Sequence, residues 1–250
     1  MTPKGIVVIG DNLLAKELVH SLREHGLTDV ALNDYEAVND IETVIETTNL
    51  DLEQKKKNLQ EIEAHVQPQT LILSTTLALT ATEAASWLSY PDRLIGFGTF
   101  VNFKEGNLIE IAPALQSGPY FLKIAEDLFL ALELEPEVVQ DEAGLVFPRI
   151  LSMIINEAVF TLTEGTASVE DIDEAMKKGT NYPMGPLEWA GKIGIDEVYA
   201  VLSGLHRQFG EERYRPAPLI RKLVHAGWTG SETGKGFYYN QNRHVKEYSI

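Results

Sequence analysis

A short apolar segment at the start of the chain constrains the fold more than any other feature of the sequence. Residues Gly5 to Ile9 form a continuous apolar run, GIVVI, that ends at Gly10, and this pattern predicts a buried strand of a parallel sheet. A helix is predicted from about Leu13 to His25, and the strand that follows it ends at Asp34. A strand, a glycine turn, a helix and a strand with an acidic end form the layout of a dinucleotide-binding unit.

The glycine turn departs from the G-x-G-x-x-G/A pattern of such units. Gly10 and Ala15 suit the tight turn and the close packing of the helix, but Asn12 replaces the glycine that lets the backbone approach the pyrophosphate. Asp11 adds a negative charge beside a helix start that would otherwise attract phosphate. Asp34 would accept from the ribose 2′-OH and favour NAD over NADP, or it is only an acid at a turn. Cofactor binding and an empty scaffold therefore both stay open.

Composition limits the partners and the compartment. The chain of 250 residues has 21 Lys and Arg against 37 Asp and Glu, a net charge of −16, which disfavours nucleic acid and anionic membranes as partners. No apolar run approaches the ~20 residues of a membrane span, and the start shows no secretory signal, so we expect a cytoplasmic location. Cysteine is absent and no metal-ligand spacing is present, so we predict no metal site.

The second half of the chain carries four motifs in a fixed order. They are INEA at 155–158, EGTASVEDID at 164–173, the proline- and glycine-rich corner with the segment it leads into, NYPMGPLEWAGKIGID at 181–196, and GKGFY at 234–238. With this order and spacing, the second half resembles the C-terminal domain of 3-hydroxyacyl-CoA dehydrogenases. The resemblance implies NAD as cofactor, a small-molecule substrate such as an acyl-CoA, a place in fatty-acid metabolism, and a homodimer formed through this domain.

The resemblance also implies the fold. We expect an α/β Rossmann-like domain over residues 1–140, followed by an all-α C-terminal dimerisation domain over residues 141–250. The first domain is expected to be shortened, because only a few residues join Asp34 to the next predicted strand, Glu42 to Thr47, where the family has a long helical hairpin. Thr80 and Ser168 are each followed three residues later by an acid, which predicts that they cap helices.

The same resemblance indicates which residues would hold the cofactor. The strand ETVIET resembles the family's VVEA strand, with Glu46 as its acid, and Lys55 lies at the position of the family's lysine. Together with the turn and the end of the second strand, this predicts six cofactor-binding residues: Gly10, Asn12, Ala15, Asp34, Glu46 and Lys55.

The catalytic positions of the family are changed in this chain. The family's pattern R-x-x-G-x-H-F-F-N-P followed by L-V-E aligns without gaps on the segment from Arg93 to Glu110. The alignment places Gly98 at the position of the general base, a histidine, and a glycine cannot accept the hydroxyl proton. The family's serine and its two asparagines align with Leu77, Val101 and Pro148, so three further active positions are lost.

Two residues could take over proton transfer. A one-residue bulge would move Thr99 and Asn102 to the family's histidine and asparagine positions, although threonine is a poor base without an activator. Glu110, which orients the histidine in the family, could itself act as a base if burial in an apolar cleft raised its pKa. It could instead be a structural carboxylate that accepts from backbone donors. Glu110 and Thr99 are therefore the candidate catalytic residues.

These observations leave two hypotheses for function. In the first, the chain is an NAD-linked oxidoreductase that acts on a short 3-hydroxyacyl-CoA or a related hydroxy acid, with altered proton chemistry at Glu110 or a threonine. In the second, the catalytic centre is degraded, and the chain is retained as a non-catalytic binding or assembly protein. A fold alone does not decide between them.

Overall fold

The computed structural model describes residues 5–101, 107–230 and 232–238 of the chain. The chain divides into two compact units, Met1–Phe147 and Pro148–Ile250. The boundary predicted from the sequence, after residue 140, lies earlier than this division, which falls at the first turn of a long helix, Phe147–Thr163. Among the described residues, no helix is both long enough and apolar enough to cross a bilayer.

The first unit is built on one seven-stranded sheet. Its strands are β1 (Gly5–Ile9), β2 (Asp29–Leu32), β3 (Thr43–Glu46), β4 (Leu71–Thr75), β5 (Leu94–Gly98), β6 (Leu108–Pro113) and β7 (Glu135–Val138). The order across the sheet is β2-β1-β3-β4-β5-β6-β7, and neighbouring strands are parallel except for β5 and β6, which pair antiparallel. This arrangement confirms the predicted Rossmann-like parallel sheet.

Helices cover both faces of the sheet. They are α1 (Leu13–Glu24), α2 (Leu52–His65), α3 (Ala81–Ala85) and α4 (Pro119–Ala131), with a short 3-10 helix at Pro91–Arg93. In β1, Ile6 and Val8 belong to one core cluster with residues of α1 and α4, whereas Val7 and Ile9 belong to another with residues of α2 and α3. The continuous apolar run that predicted this strand is therefore buried on both sides.

The connection from β2 to β3 is short and packs against α2. Residues 33–42, all of which the structure describes, contain turns but no helix. Tyr35 stacks on the ring of His65 in α2, with ring centroids 4.5 Å apart. Val38 is buried in the same core cluster as Leu59 and Ile62 of α2. Aromatic and apolar contacts thus hold this connection on the sheet.

The strand β7 forms one edge of the sheet. Its sequence, EPEV, places Pro136 between two glutamates, Glu135 and Glu137. Proline has no N–H to donate to a neighbouring strand, and charged side chains at an edge oppose pairing with another chain. The edge is therefore protected against extension of the sheet.

The second unit is helical over the residues that the structure describes. Its regular elements there are α5 (Phe147–Thr163), which begins at the last residue of the first unit, α6 (Val169–Thr180), α7 (Pro186–Ile193), α8 (Ile195–Phe209) and α9 (Pro218–His225), with a 3-10 helix at Glu212–Tyr214 and an isolated bridge between Gly230 and Lys235. Asn156, in the INEA motif, donates to the carbonyl oxygen of Arg215 at 3.0 Å and accepts from the N–H of Ala217 at 2.8 Å. The motif thus ties α5 to the segment that leads into α9.

One buried carboxylate, that of Asp173, holds the proline- and glycine-rich corner. It accepts from the N–H groups of Leu187 and Glu188, both at 2.8 Å, and from the hydroxyl of Tyr238. Gly185, immediately before α7, lies so close that a Cβ there would overlap the Asp173 side chain. Three of the motifs that carry the family resemblance therefore meet at Asp173.

Gly185→Ala is expected to lower the free energy of unfolding by about 1–3 kcal/mol, because the new methyl group would overpack against Asp173. Gly191→Ala, inside α7, is the matched control. A Cβ at Gly191 meets no atom within 4 Å, and alanine is favoured over glycine in a helix interior by about 1 kcal/mol. Urea unfolding of both variants, followed by tryptophan fluorescence, measures the difference. Equal midpoints would contradict the role of Asp173.

Candidate active site at the carboxyl ends of the strands

The candidate residues of the first unit follow strands whose carboxyl ends meet along one edge of the sheet. The structure places Gly10 after β1, Asp34 after β2, Glu46 at the end of β3 and Gly98 at the end of β5. In open α/β sheets, ligands bind in the crevice outside this edge. A cofactor and catalytic groups are therefore expected along this edge.

Gly10 forms the turn after β1 at a positive φ of 148°. The N–H of Gly10 donates to Oδ1 of Asn33 at 2.9 Å, and Nδ2 of Asn33 donates to the carbonyl oxygen of Gly10 at 2.8 Å. A Cβ at this position would overlap the hydroxyl of Thr47, so the turn requires a glycine. Both backbone polar groups of Gly10 are thus bonded within the protein.

Asn12 caps the start of α1. Its Oδ1 accepts from the N–H of Ala15 and from the hydroxyl of Thr47, both at 3.0 Å, and its Nδ2 donates to the Thr47 carbonyl oxygen at 2.8 Å. The carboxamide therefore lies between the start of α1 and the end of β3. The dipole of α1 would otherwise favour an anion at this place.

Asp34 is exposed and bonded to its own turn. Its Oδ1 accepts from the N–H of Glu36 at 3.0 Å and from the N–H of Ala37 at 3.2 Å. Such bonds are typical of an aspartate that stabilises a turn after a strand. The carboxylate nevertheless remains open to solvent at the edge of the sheet.

Glu46 and Lys55 form a fully buried ion pair, with 0% exposure of either side chain. The Nζ of Lys55 lies 2.5 Å from Oε2 of Glu46 and also donates to the Thr48 carbonyl oxygen at 2.8 Å and to the Thr75 hydroxyl at 3.2 Å. Glu46 accepts in addition from the N–H of Thr48 at 2.9 Å and from the Ser74 hydroxyl at 3.1 Å. The structure brings these two predicted residues together, and their role in cofactor binding stays a prediction.

Gly98 and Glu110 lie directly opposite each other in the antiparallel ladder of β5 and β6. The space beside Gly98 is filled by Leu145, because a Cβ added at Gly98 would lie 2.8 Å from Cδ1 and 3.1 Å from Cγ of that side chain. Leu145 is 4% exposed, and its φ of 47° is uncommon for leucine. Any side chain at position 98 would have to displace Leu145.

Glu110 is bonded to the start of α5. Its Oε2 accepts from the N–H of Val146 at 2.7 Å, and its Oε1 accepts from the N–H of Phe147 at 2.8 Å. Burial raises the pKa of the Glu110 carboxyl above its ordinary value of 4.5, and the two N–H donors oppose that rise. Glu110 thus combines the raised pKa of a buried acid with the bonding pattern of a structural carboxylate.

The other candidate positions lie in apolar or internally bonded surroundings. Thr99 is 5% exposed, and its hydroxyl donates to the carbonyl oxygen of the next residue at 3.1 Å. Leu77 is fully buried, and Pro148 is buried in the first turn of α5. Val101 packs against the core, and Asn102 lies outside the described residues.

Sequence reasoning missed three residues that shape this edge of the sheet: Asn33, Thr47 and Leu145. Asn33 has a φ of 54°, and asparagine is one of the few residues that adopt this conformation readily, so an asparagine at a strand end was a usable signal. Thr47 and Leu145 act through contacts with residues far away in the sequence. No local pattern predicts such contacts.

Two family models match the chain. The model for the 3-hydroxyacyl-CoA dehydrogenase NAD binding domain matches residues 12–142, and the model for the C-terminal domain matches residues 144–240. The 3-hydroxybutyryl-CoA dehydrogenase of Bradyrhizobium diazoefficiens is 33% identical over 239 residues, which cover 94% of this chain and 82% of the relative. The chain therefore belongs to the 3-hydroxyacyl-CoA dehydrogenase family.

Other relatives agree with this assignment. The 3-hydroxybutyryl-CoA dehydrogenase of Clostridioides difficile is 35% identical over 209 residues, which cover 83% of this chain and 74% of the relative. The crystal structure of (S)-3-hydroxybutyryl-CoA dehydrogenase from Ralstonia eutropha has a TM-score of 0.74 at 29% identity and covers 94% of this chain and 98% of its own. FadB2 of M. tuberculosis, at 21% identity, shares the fold with a TM-score of 0.84 over 95% of this chain and 99% of its own. The family resemblance found from the motifs is thus confirmed.

Leu145→Ala is expected to reduce the loss of stability that Gly98→Ala causes. Gly98→Ala by itself should lower the free energy of unfolding because its Cβ meets Leu145, and a double-mutant cycle should give a coupling of about 1 kcal/mol. Gly96→Ala on the same strand is the matched control, since its Cβ would meet Thr76 and Ala81 instead. Denaturant unfolding measures each variant. The same coupling for both glycines would rule out the contact.

The pH dependence of stability should distinguish Glu110 from Glu63. Glu63 also accepts from two backbone N–H groups, those of Ser89 and Tyr90. Burial tends to raise the pKa of the Glu63 carboxyl, but its hydrogen bonds outweigh burial and lower the pKa below 4.5. Because folding raises the pKa of Glu110, its contribution to stability is present below pH 4.5 and is lost as the pH rises through the folded pKa. The contribution of Glu63 is present above pH 4.5 and is lost as the pH falls through its folded pKa.

Unfolding free energies of the wild type, Glu110→Gln and Glu63→Gln between acidic and neutral pH provide the measurement. The stability of the wild type relative to Glu110→Gln should decrease as the pH rises above 4.5. Its stability relative to Glu63→Gln should decrease as the pH falls below 4.5. Slopes of the same sign for both variants would show that the two carboxyls do not differ in this way.

Proposed function

We propose that this chain is a non-catalytic member of the 3-hydroxyacyl-CoA dehydrogenase family that is retained as a binding or assembly protein. The observation that carries the proposal is the position of Leu145, whose side chain fills the space beside Gly98. The sequence indicates only that the histidine is absent. Because Leu145 fills the space beside Gly98, an imidazole also has no room at this position unless Leu145 moves.

The backbone around Leu145 is anchored on both sides. Before it, the N–H of Gly144 donates to the carbonyl oxygen of Thr76 at 2.7 Å. After it, Glu110 accepts from the N–H groups of the next two residues. A leucine at positive φ persists only where its surroundings hold it. This anchoring holds the Leu145 backbone beside Gly98, so a side chain at position 98 would have to turn the leucine side chain aside.

The two candidate bases are poorly placed to replace histidine. The hydroxyl of Thr99 donates to a backbone oxygen, and a threonine needs an activating base of its own. The carboxylate of Glu110 is already engaged by two backbone donors. General-base catalysis typically contributes about 10²–10⁴-fold to a rate, so loss of the base would remove most of the family's activity.

The remaining expectations belong to the same proposal. A Rossmann-like domain shortened between β2 and β3 is supported by the absence of a helix in residues 33–42. A helical C-terminal domain is supported by the helices α6 to α9, and a homodimer formed through it is what the family resemblance implies. Family membership points to an acyl-CoA and NAD as the ligands with which to test binding.

A second candidate function is the NAD-linked oxidation or reduction of a short 3-hydroxyacyl-CoA or a related hydroxy acid, with Glu110 as the general base. Glu110 lies opposite Gly98 in the ladder, and burial raises its pKa. A carboxylate base that works near neutral pH needs such a rise. Glu110 would have to accept the proton while it keeps its two N–H bonds to the start of α5.

The wild-type chain is expected not to oxidise NADH with acetoacetyl-CoA above the rate without protein, because Gly98 replaces the histidine that would donate a proton to the keto oxygen during reduction. The measurement is NADH absorbance over a series of pH values around neutral. Glu110→Gln tests the second candidate, and Glu135→Gln is the matched control, because Glu135 is exposed on the edge strand β7.

Turnover by the wild type that is lost in Glu110→Gln and kept in Glu135→Gln would overturn the non-catalytic proposal in favour of the second candidate. Turnover that both variants keep would overturn the proposal as well and would point to a different base. The absence of turnover in all three proteins would agree with the proposal.

A further inference from the structure

We infer that Asn12 closes the dinucleotide site of the first unit, so that this chain does not hold NAD(H) there. Closure of this site would be independent of the lost histidine, because it involves a different set of residues. Hydrogen bonds at the turn, at the start of α1 and at the buried ion pair all point to closure.

A turn that binds phosphate leaves backbone N–H groups free to point at the ligand. In this chain the N–H of Gly10 donates to Asn33, and the N–H of Ala15 donates to Asn12. Side chains of the protein therefore take up two donors near the place where the pyrophosphate would lie. A dinucleotide would have to displace them in order to use these donors.

The side chain of Asn12 is fixed on both sides. Besides capping α1, it accepts from the hydroxyl of Thr47 and donates to the carbonyl oxygen of Thr47. A glycine at this position of the fingerprint would let the backbone approach the pyrophosphate. Asn12 instead places a carboxamide there, and the exposed carboxylate of Asp11 beside it repels phosphate.

The buried ion pair has no hydrogen-bonding capacity left for a ribose. An ammonium group carries three N–H donors, and those of Lys55 are matched by three acceptors, on Glu46, Thr48 and Thr75. The carboxylate of Glu46 accepts from Lys55, Ser74, the Thr48 N–H and Asn58, which fills the roughly four acceptor positions of a carboxylate. Both side chains have 0% exposure. This pair holds α2 against the sheet, and it offers no group to a cofactor hydroxyl.

Titration of the full-length chain with NADH, followed by NADH fluorescence and by calorimetry, tests the inference. The wild type should show no saturable binding up to millimolar NADH. Asn12→Gly should bind NADH at least about tenfold more tightly than that limit, because the change frees the N–H of Ala15. The variant is expected to fold, since glycine is tolerated at a helix N-cap. Asp51→Gly is the matched control, since Asp51 caps α2 by accepting from the N–H of Gln54 at 2.9 Å.

Saturable NADH binding by the wild type would overturn the inference. A folded Asn12→Gly variant that binds no better than the wild type would overturn the role of Asn12, and so would an equal gain in Asp51→Gly. If circular dichroism shows that Asn12→Gly does not fold, Asn12→Ala removes the same carboxamide and frees the same N–H of Ala15, so the same gain is expected from it. Because the readout is binding, inactivity with acetoacetyl-CoA does not by itself support the inference, whereas NADH-dependent turnover by the wild type would contradict it.

Discussion

A carboxylate that accepts two adjacent backbone N–H groups recurs where the helices of this chain begin. Glu110 does so at α5 and Asp173 at α7, and Asp141 does so at α3, where it accepts from Ala81 and Thr82 at 2.6 and 2.8 Å. The first N–H groups of a helix have no partner within the helix, and a negative charge there contributes up to ~2 kcal/mol in partly buried geometries. The first N–H groups at each of these helix starts are therefore bonded to an acid from outside the helix.

The hydrogen bonds between Glu110 and the start of α5 bear on whether the chain can catalyse the family's reaction. Family resemblance assigns Glu110 to the orientation of a histidine, whereas in this chain it binds the N–H groups that follow Leu145. The same segment presents the side chain of Leu145 to Gly98. A histidine at position 98 and Leu145 would compete for the same space, and Glu110 would have to serve both. Loss of the imidazole and the close approach of Leu145 are thus mutually consistent.

Local patterns in the sequence predicted much of the fold. The apolar run of β1 indicated a strand buried on both faces, and Thr80 and Ser168 were correctly predicted to cap helices, since they accept from the N–H groups of Glu83 and Asp171. These features depend on neighbouring residues, so a short stretch of sequence is enough to define them.

The candidate site depended on contacts that no short stretch contains. The alignment with the family located Gly98 and Glu110, but their surroundings come from Leu145, which lies far away in the sequence. Likewise, the family resemblance suggested ligand contacts for Glu46 and Lys55, whereas their full burial and mutual bonding follow from the packing of α2 on the sheet. A sequence thus shows which residue stands at a position, but it does not show how many hydrogen-bond donors and acceptors of that side chain are already bonded within the protein.

The edge strand β7 has a consequence for how the folded chain behaves at high concentration. A free strand edge is the usual template on which proteins add further strands and grow into fibrils. Pro136 interrupts the row of donors on this strand, and Glu135 and Glu137 add charge to it. Crowded copies of the chain would therefore repel one another along this side of the sheet, and this edge would not act as a template for further strands.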